Sequence, residues 1–337
     1  MVRRGRRAGA WSPPLVAAMA RSLAREERRE AGRLTALADR ARLINEPGYA
    51  AEFDQASAAS AAVAATVEAA DLFWVAAPMA RLAMDASQDI PAINGADAPA
   101  QAGLMVMAEP LPAWDTTVIG GLALRDGART DVPHNEAVPV DALTWHLAPH
   151  PSGVRALTIE LMCRPARLPL PLLEYQSNWL VPFTRLRTLT PASLDTAQAV
   201  GPDGAPVDPA HVGVMAWLQA AWTLMATPNL TQTTVVAGTG KPRTTRPSDA
   251  APAGDGVTVV DLHPQRRRLI TTEDTAGAGD GPRRRLTTRH VVRGHWTHQP
   301  HGPQRALRRL QWVDDYIRGP EGAPLATRTH VWAWRRQ

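Results

Sequence analysis

Residues 293–312, RGHWTHQPHGPQRALRRLQW, gather three histidines, four arginines and two tryptophans. Arg293, Arg305, Arg308 and Arg309 offer planar forks of N–H donors that match phosphate oxygens and keep their charge at any physiological pH. Trp296 and Trp312, with Tyr316 just beyond, offer faces on which unpaired bases stack. A further step needs only a base, charge stabilisers and an acid that protonates the leaving oxygen. A metal-independent ribonuclease would use His295 as the catalytic general base for a 2′-hydroxyl and Arg293 and Arg305 to hold the growing phosphorane charge. His295, His298 and His301 also recur at every third position. Their spacing around prolines lacks the helical geometry and nearby carboxylate of the strong histidine motifs, so neither a metal nor another cofactor is expected. Against all these readings stands a plain one, in which an arginine-rich sheet uses its aromatics as core.

Charge distribution favours a polyanion partner. Residues 281–337 hold twelve arginines against Asp314, Asp315 and Glu321, a net +9, while the chain as a whole carries +5 and its first 280 residues therefore −4. A basic patch confined to one end is the electrostatic footprint of a nucleic acid, here expected to be single-stranded or messenger RNA. A protein-binding adaptor or inhibitor whose basic strip meets an acidic partner, with no nucleic-acid activity, is the alternative from another class.

The elements that must position this strip read as follows. Around Leu15, Met19, Leu23, Leu34 and Leu37 the apolar spacing predicts one long helix or two short ones, with Ser12 and Pro13 as cap and first turn. A second helical region is expected over 51–86, its stripe formed by Leu72, Val75, Met79 and Leu82 and interrupted only by Pro78. From Gly103 the runs GLMVMAEP, VIGGLALR, DALTWHLA and VRALTIELMC predict an antiparallel sheet of three or four strands. His134, His146 and His150 fall among them and read as loop or packing residues. RPARLPLPLLEY reads as extended. PAHVGVMAWLQAAWTLMATPNL is apolar on nearly every face, as a buried helix is. Residues 231–256 read as a flexible linker, and the segments after Val257 as a basic β-meander whose packed side includes Val292, Trp332 and Trp334.

Composition bounds the rest. Length and 45% hydrophobic content suffice for one large or two ordinary domains. Cys163 is the sole cysteine, which excludes a disulfide framework and a thiolate zinc cluster and fits a reducing compartment. The basic start MVRRGRRAGAWSPPL leads into no apolar stretch of signal-peptide length, and the alanine-rich window Ala59–Leu82 contains Glu68 and Asp71, so neither secretion nor a membrane span is expected and the cytoplasm is the expected location. Lys241 is the only lysine among 37 basic residues, the bias of GC-rich coding.

The last fifty residues also resemble a known signature. Arg293, Gly294, His295, Trp296, Gly302, Arg305, Arg309, Trp312, Gly319 and Pro320 match a pattern of R-G-H-W, a glycine turn, G-P-x-R, a basic pair, an aromatic strand and G-P-x-G-A-P-L. Thr297 stands where the pattern commonly has a basic residue and Asp315 where it has proline. The pattern is that of a family of actinobacterial phage and plasmid proteins. It is similar to the type V anti-CRISPR family, which brings about destruction of the messenger RNA encoding its target nuclease. The resemblance implies a mobile-element regulatory protein acting on RNA, with a host or CRISPR protein as a further partner. Together these readings give an α+β chain: a helical region over 1–100, a mixed region with sheet and buried helix over 101–230, the linker, and a basic β-rich region over 257–337. Residues 1–230 are expected to stay folded without the rest.

Overall fold

A computed structural model describes residues 11–112, 122–123, 129–130, 138–167, 179–194, 209–227, 230–239, 256–263, 269–270, 288–313, 315–320 and 322–324. The chain divides into two units, Met1–His263 and Pro264–Gln337.

Unit 1 contains helices α1 (Val16–Leu43), α2 (Pro47–Ala69), α3 (Ala77–Ser87) and α4 (Pro209–Met225). Its strands are β1 (Asp71–Val75), β2 (Ala92–Ile93), β3 (Ala102–Leu111), β4 (Leu122–Ala123), β5 (Arg129–Thr130), β6 (Val140–Pro149), β7 (Arg155–Cys163), β8 (Val181–Thr190), β9 (Ala192–Ser193), β10 (Thr231–Ala237) and β11 (Gly256–Leu262). Seven of these form one sheet in the order β10-β11-β1-β3-β6-β7-β8. Of the expected antiparallel strands, GLMVMAEP, DALTWHLA and VRALTIELMC are β3, β6 and β7, whereas the described part of VIGGLALR is β4, which pairs with β5 apart from this sheet; β8 takes the remaining antiparallel place, and β1 runs parallel to both β3 and β11. The chain is thus α+β, with a mixed central sheet.

Each side of the sheet is covered by helices. On one face Leu72, Trp74, Leu104, Val106, Ala142 and Met162 meet Val16, Met19, Leu23, Val63 and Val67 of α1 and α2. On the other, Trp145 packs between Phe73 (5.5 Å between ring centroids) and Trp222 of α4 (5.6 Å). Trp217 donates its indole N–H to the carbonyl of Ala80, tying α4 to α3. Glycine is required at position 103, because a Cβ there would lie 2.2 Å from the Trp145 ring.

Three expectations are corrected. The region 51–86 is not one helix: Asp71–Val75 is a strand of parallel type, buried at four of its five positions, and Pro78 lies in the first turn of α3. A strand covered on both sides is continuously apolar, so Leu72 and Val75 imitate a helical stripe. The linker expected from Thr231 starts instead as β10, whose seven residues all pair with β11. The boundary of the basic region consequently moves from 257 to 264, since β11 belongs to the large sheet. Val181–Thr190, which carries no strand expectation, is the β8 edge strand. In the segment RPARLPLPLLEY, Pro165–Arg167 forms a 3-10 turn, and residues 168–178 lie outside the described residues. No described helix is long and apolar enough to cross a membrane.

Candidate nucleic-acid interface

Unit 2 is built on β12 (Leu269–Ile270), β13 (His290–Val292), β14 (His295–His301), β15 (Leu307–Val313) and β16 (Tyr316–Arg318). β13 pairs with β16 from His290↔Arg318 to Val292↔Tyr316, and β14 with β15 from His295↔Val313 to His301↔Leu307. Between Val292↔Tyr316 and His295↔Val313 each arm advances by three residues, so the register never slips. The two ladders are successive halves of one antiparallel ribbon, broken around Gly294.

Much of the signature is spent on building this ribbon. A Cβ on Gly294 would stand 2.4 Å from the Trp312 ring, so the indole lies against the bare backbone. Trp312 is 5% exposed and takes Trp296 edge-on at 5.1 Å, with the ring planes at 69°. Gly302 adopts φ +76° in the tight connection, where Gln304 and Arg305 are also left-handed. Gly319 adopts φ +140°, and a Cβ there would lie 2.7 Å from the Arg289 Cα. Arg289 closes that end by donating its backbone N–H to Pro324 and its Nε–H to the Ala323 carbonyl. Nothing in the spacing marks Arg289; its role follows from the fold-back of GPEGAP.

The candidate residues fall into two groups. At the break, Arg293 and His295 are exposed, and Tyr316, opposite Val292, is half-buried. At the turn, Arg305 and Arg308 are exposed. Arg308 donates to the carbonyl of Arg305 at 2.9 Å and bends its guanidinium over the loop. Arg309 stands opposite Gln299. Six residue steps separate His295 from the turn, about 20 Å at a strand's rise per residue. His295 and Arg305 therefore do not converge on one phosphate, and the expectation of a single neighbourhood is corrected to two stations on one ribbon. Trp332 and Trp334 lie outside the described residues.

Alternation separates the two surfaces of the β14–β15 half. Trp296, His298, Pro300, Leu310, Arg308 and the buried Trp312 share one, while His295, Thr297, Gln299 and Gln311 share the other. His295 and His298 point to opposite sides, and among the described residues no group of three or more histidine, cysteine or acidic side chains is placed to hold a metal. His295 Nδ1 lies 3.0 Å from the Arg293 carbonyl. Because a carbonyl only accepts, this contact places the ring proton on Nδ1 and leaves Nε2 unprotonated in the neutral imidazole. Arg293 is the one candidate arginine beside it.

Charge is handled differently in the two units. In unit 1, Arg28 pairs with Glu68, Arg33 with Glu30, Arg42 with Asp39 and Asp54, and Arg81 with Glu109. Asp141, fully buried, takes both Arg164 (3.1 Å) and Arg167 (2.7 Å), and Arg164 stacks on Trp11. Beside them burial pushes the Cys163 thiol up to about 12, which keeps it protonated and chemically inert. Residues 264–337 hold fifteen arginines and six acidic residues, a net +9. Among the described residues of this unit no arginine pairs with a carboxylate. No protein-family model matches the chain, and no curated protein matches it.

Proposed function

We propose that this protein is a mobile-element regulatory factor that acts on RNA through unit 2. The observation that carries this reading is the contrast in charge pairing: in unit 1 Arg28, Arg42, Arg81, Arg164, Arg167 and Arg185 each meet a carboxylate, whereas Arg293, Arg305 and Arg308 are exposed on the ribbon beside a half-exposed tryptophan. Exposed guanidinium groups around an aromatic edge suit an unpaired strand, with phosphates held at two stations and a base against Trp296. The spacing of about 20 Å between stations spans several nucleotides, a geometry of binding along a strand rather than of grip on one phosphate. By its resemblance to the anti-CRISPR signature, the outcome of binding is loss of a specific transcript.

The narrower reading of metal-independent cleavage rests on exposed His295, whose Nδ1 contact with the Arg293 carbonyl leaves Nε2 unprotonated, with Arg293 adjacent, and Arg305 is not part of it. The test is to isolate the full chain, sequence the RNA that co-purifies, and incubate that RNA with the protein in excess chelator. Enrichment of one transcript supports the regulatory reading, and cleavage abolished in His295→Gln supports the catalytic one. Binding without cleavage makes the protein a recruiter of a host nuclease. Absence of bound RNA, with capture of an acidic protein instead, replaces the proposal with the adaptor reading.

A further inference from the structure

Away from the ribbon, three strands of unit 1 bring together polar residues that no spacing in the sequence connects. Cross-strand pairing aligns His146, Thr158 and Arg187 in one row and Thr144, Glu160 and Arg185 in the next, all on the face that carries α1 and α2. Adjacent strands lie about 4.8 Å apart and same-side neighbours along a strand about 7 Å apart, so the six side chains start within an area of about 10 by 7 Å. Glu160 is 7% exposed and ion-paired to Arg185, whose guanidinium also donates to the Ala59 carbonyl at the underside of α2. That pair is internally neutral. In the outer row His146 and Thr158 are half-buried and Arg187 is exposed, with no carboxylate partner among the described residues. Thr144, 1% exposed, keeps a hydroxyl without a hydrogen-bond partner on this same side.

We infer that this strip binds a phosphoryl oxyanion, with Arg187 as its principal ligand and Thr158, His146 and the outer edge of Arg185 as supporting donors. A tetrahedral group with three free oxygens accepts hydrogen bonds from several strands at once, as a planar carboxylate does less well, and guanidinium groups match its geometry. The exposed charge at Arg187, which acts on Glu160 across the rows without forming an ion pair with it, supplies the attraction. The ordering cost is partly met in advance, since the site lies on a sheet and one side of Arg185 is already held by Glu160 and Ala59. This site is independent of the RNA reading of unit 2.

Calorimetric titration of the full chain with inorganic phosphate, and separately with adenosine 5′-monophosphate, tests it. The expected result is saturable binding that weakens tenfold or more in Arg187→Gln and severalfold in Thr158→Val, with unchanged thermal unfolding of both variants. Arg305→Gln in unit 2 leaves it unaltered. Tighter binding of the monophosphate identifies the ligand as a phosphate ester, and equal affinities identify free phosphate. Lack of saturable binding of either probe, or wild-type affinity in Arg187→Gln, overturns the site.

Discussion

Trp296 and Trp312 share one surface of the ribbon and touch, yet their neighbours give them different work. Trp312 lies over Gly294 and is almost wholly covered, while Trp296 is partly exposed. Trp312→Ala should therefore cost roughly 3–5 kcal/mol of unit 2 stability. Trp296→Ala should leave more of the fold and weaken single-strand binding by roughly 1–3 kcal/mol. Urea unfolding and affinity measured on each variant check the division, and equal losses of stability would place both rings in the core. In unit 1, Glu160 illustrates a competition between burial and pairing: burial raises its carboxyl above the ordinary range, and Arg185 only partly reverses this. A raised native pKa means that the folded chain holds the proton more tightly than the unfolded one. Its contribution to stability is thus present at low pH and lost as pH rises through and above the ordinary carboxylate value. Unfolding free energies at acidic and mildly alkaline pH should show a decline in the wild type that Glu160→Gln flattens.

At the scale of elements, what could be read in advance depended on whether a segment's partners lie nearby in sequence. The buried α4 announces itself by being apolar all round, and β3, β6 and β7 by their glycine- and proline-bounded runs. β1 does not, because four apolar residues between alanine-rich helices fit a helical stripe as well as a strand. β10 is Thr-rich and exposed on most of its length, so only pairing with β11 reveals it. The candidate strip in unit 2 was legible as residue types, but not as two stations, since the register that separates His295 from Arg305 is set by the Gly302 turn. The His146–Thr158–Arg187 row was illegible for the same reason: three distant segments create it. These placements change where the chain can be divided. Removing everything after residue 230 strips β10 and β11 from the sheet and exposes the edge of the buried β1, so that fragment should be unstable, contrary to the expectation from sequence. A fragment ending at His263 keeps all seven strands and should unfold cooperatively. Thermal melts of the two fragments, followed by circular dichroism, distinguish them.

For the whole molecule, the central claim is that unpaired positive charge in unit 2 meets a phosphate backbone. Polyanion binding releases condensed counterions, and for single strands the logarithm of the binding constant falls with the logarithm of salt by about 0.7 for each phosphate neutralised. An acidic protein partner would show a weaker and less regular dependence. The most direct measurement is the salt dependence of single-stranded RNA affinity for the full chain, for the fragment ending at His263, and for a variant carrying Arg293→Gln, Arg305→Gln and Arg308→Gln. Binding through unit 2 gives a steep linear slope for the full chain, a slope shallower by about 2 for the triple variant, and no binding by the fragment. A fragment that binds as well as the full chain, or a triple variant with an unchanged slope, would contradict it.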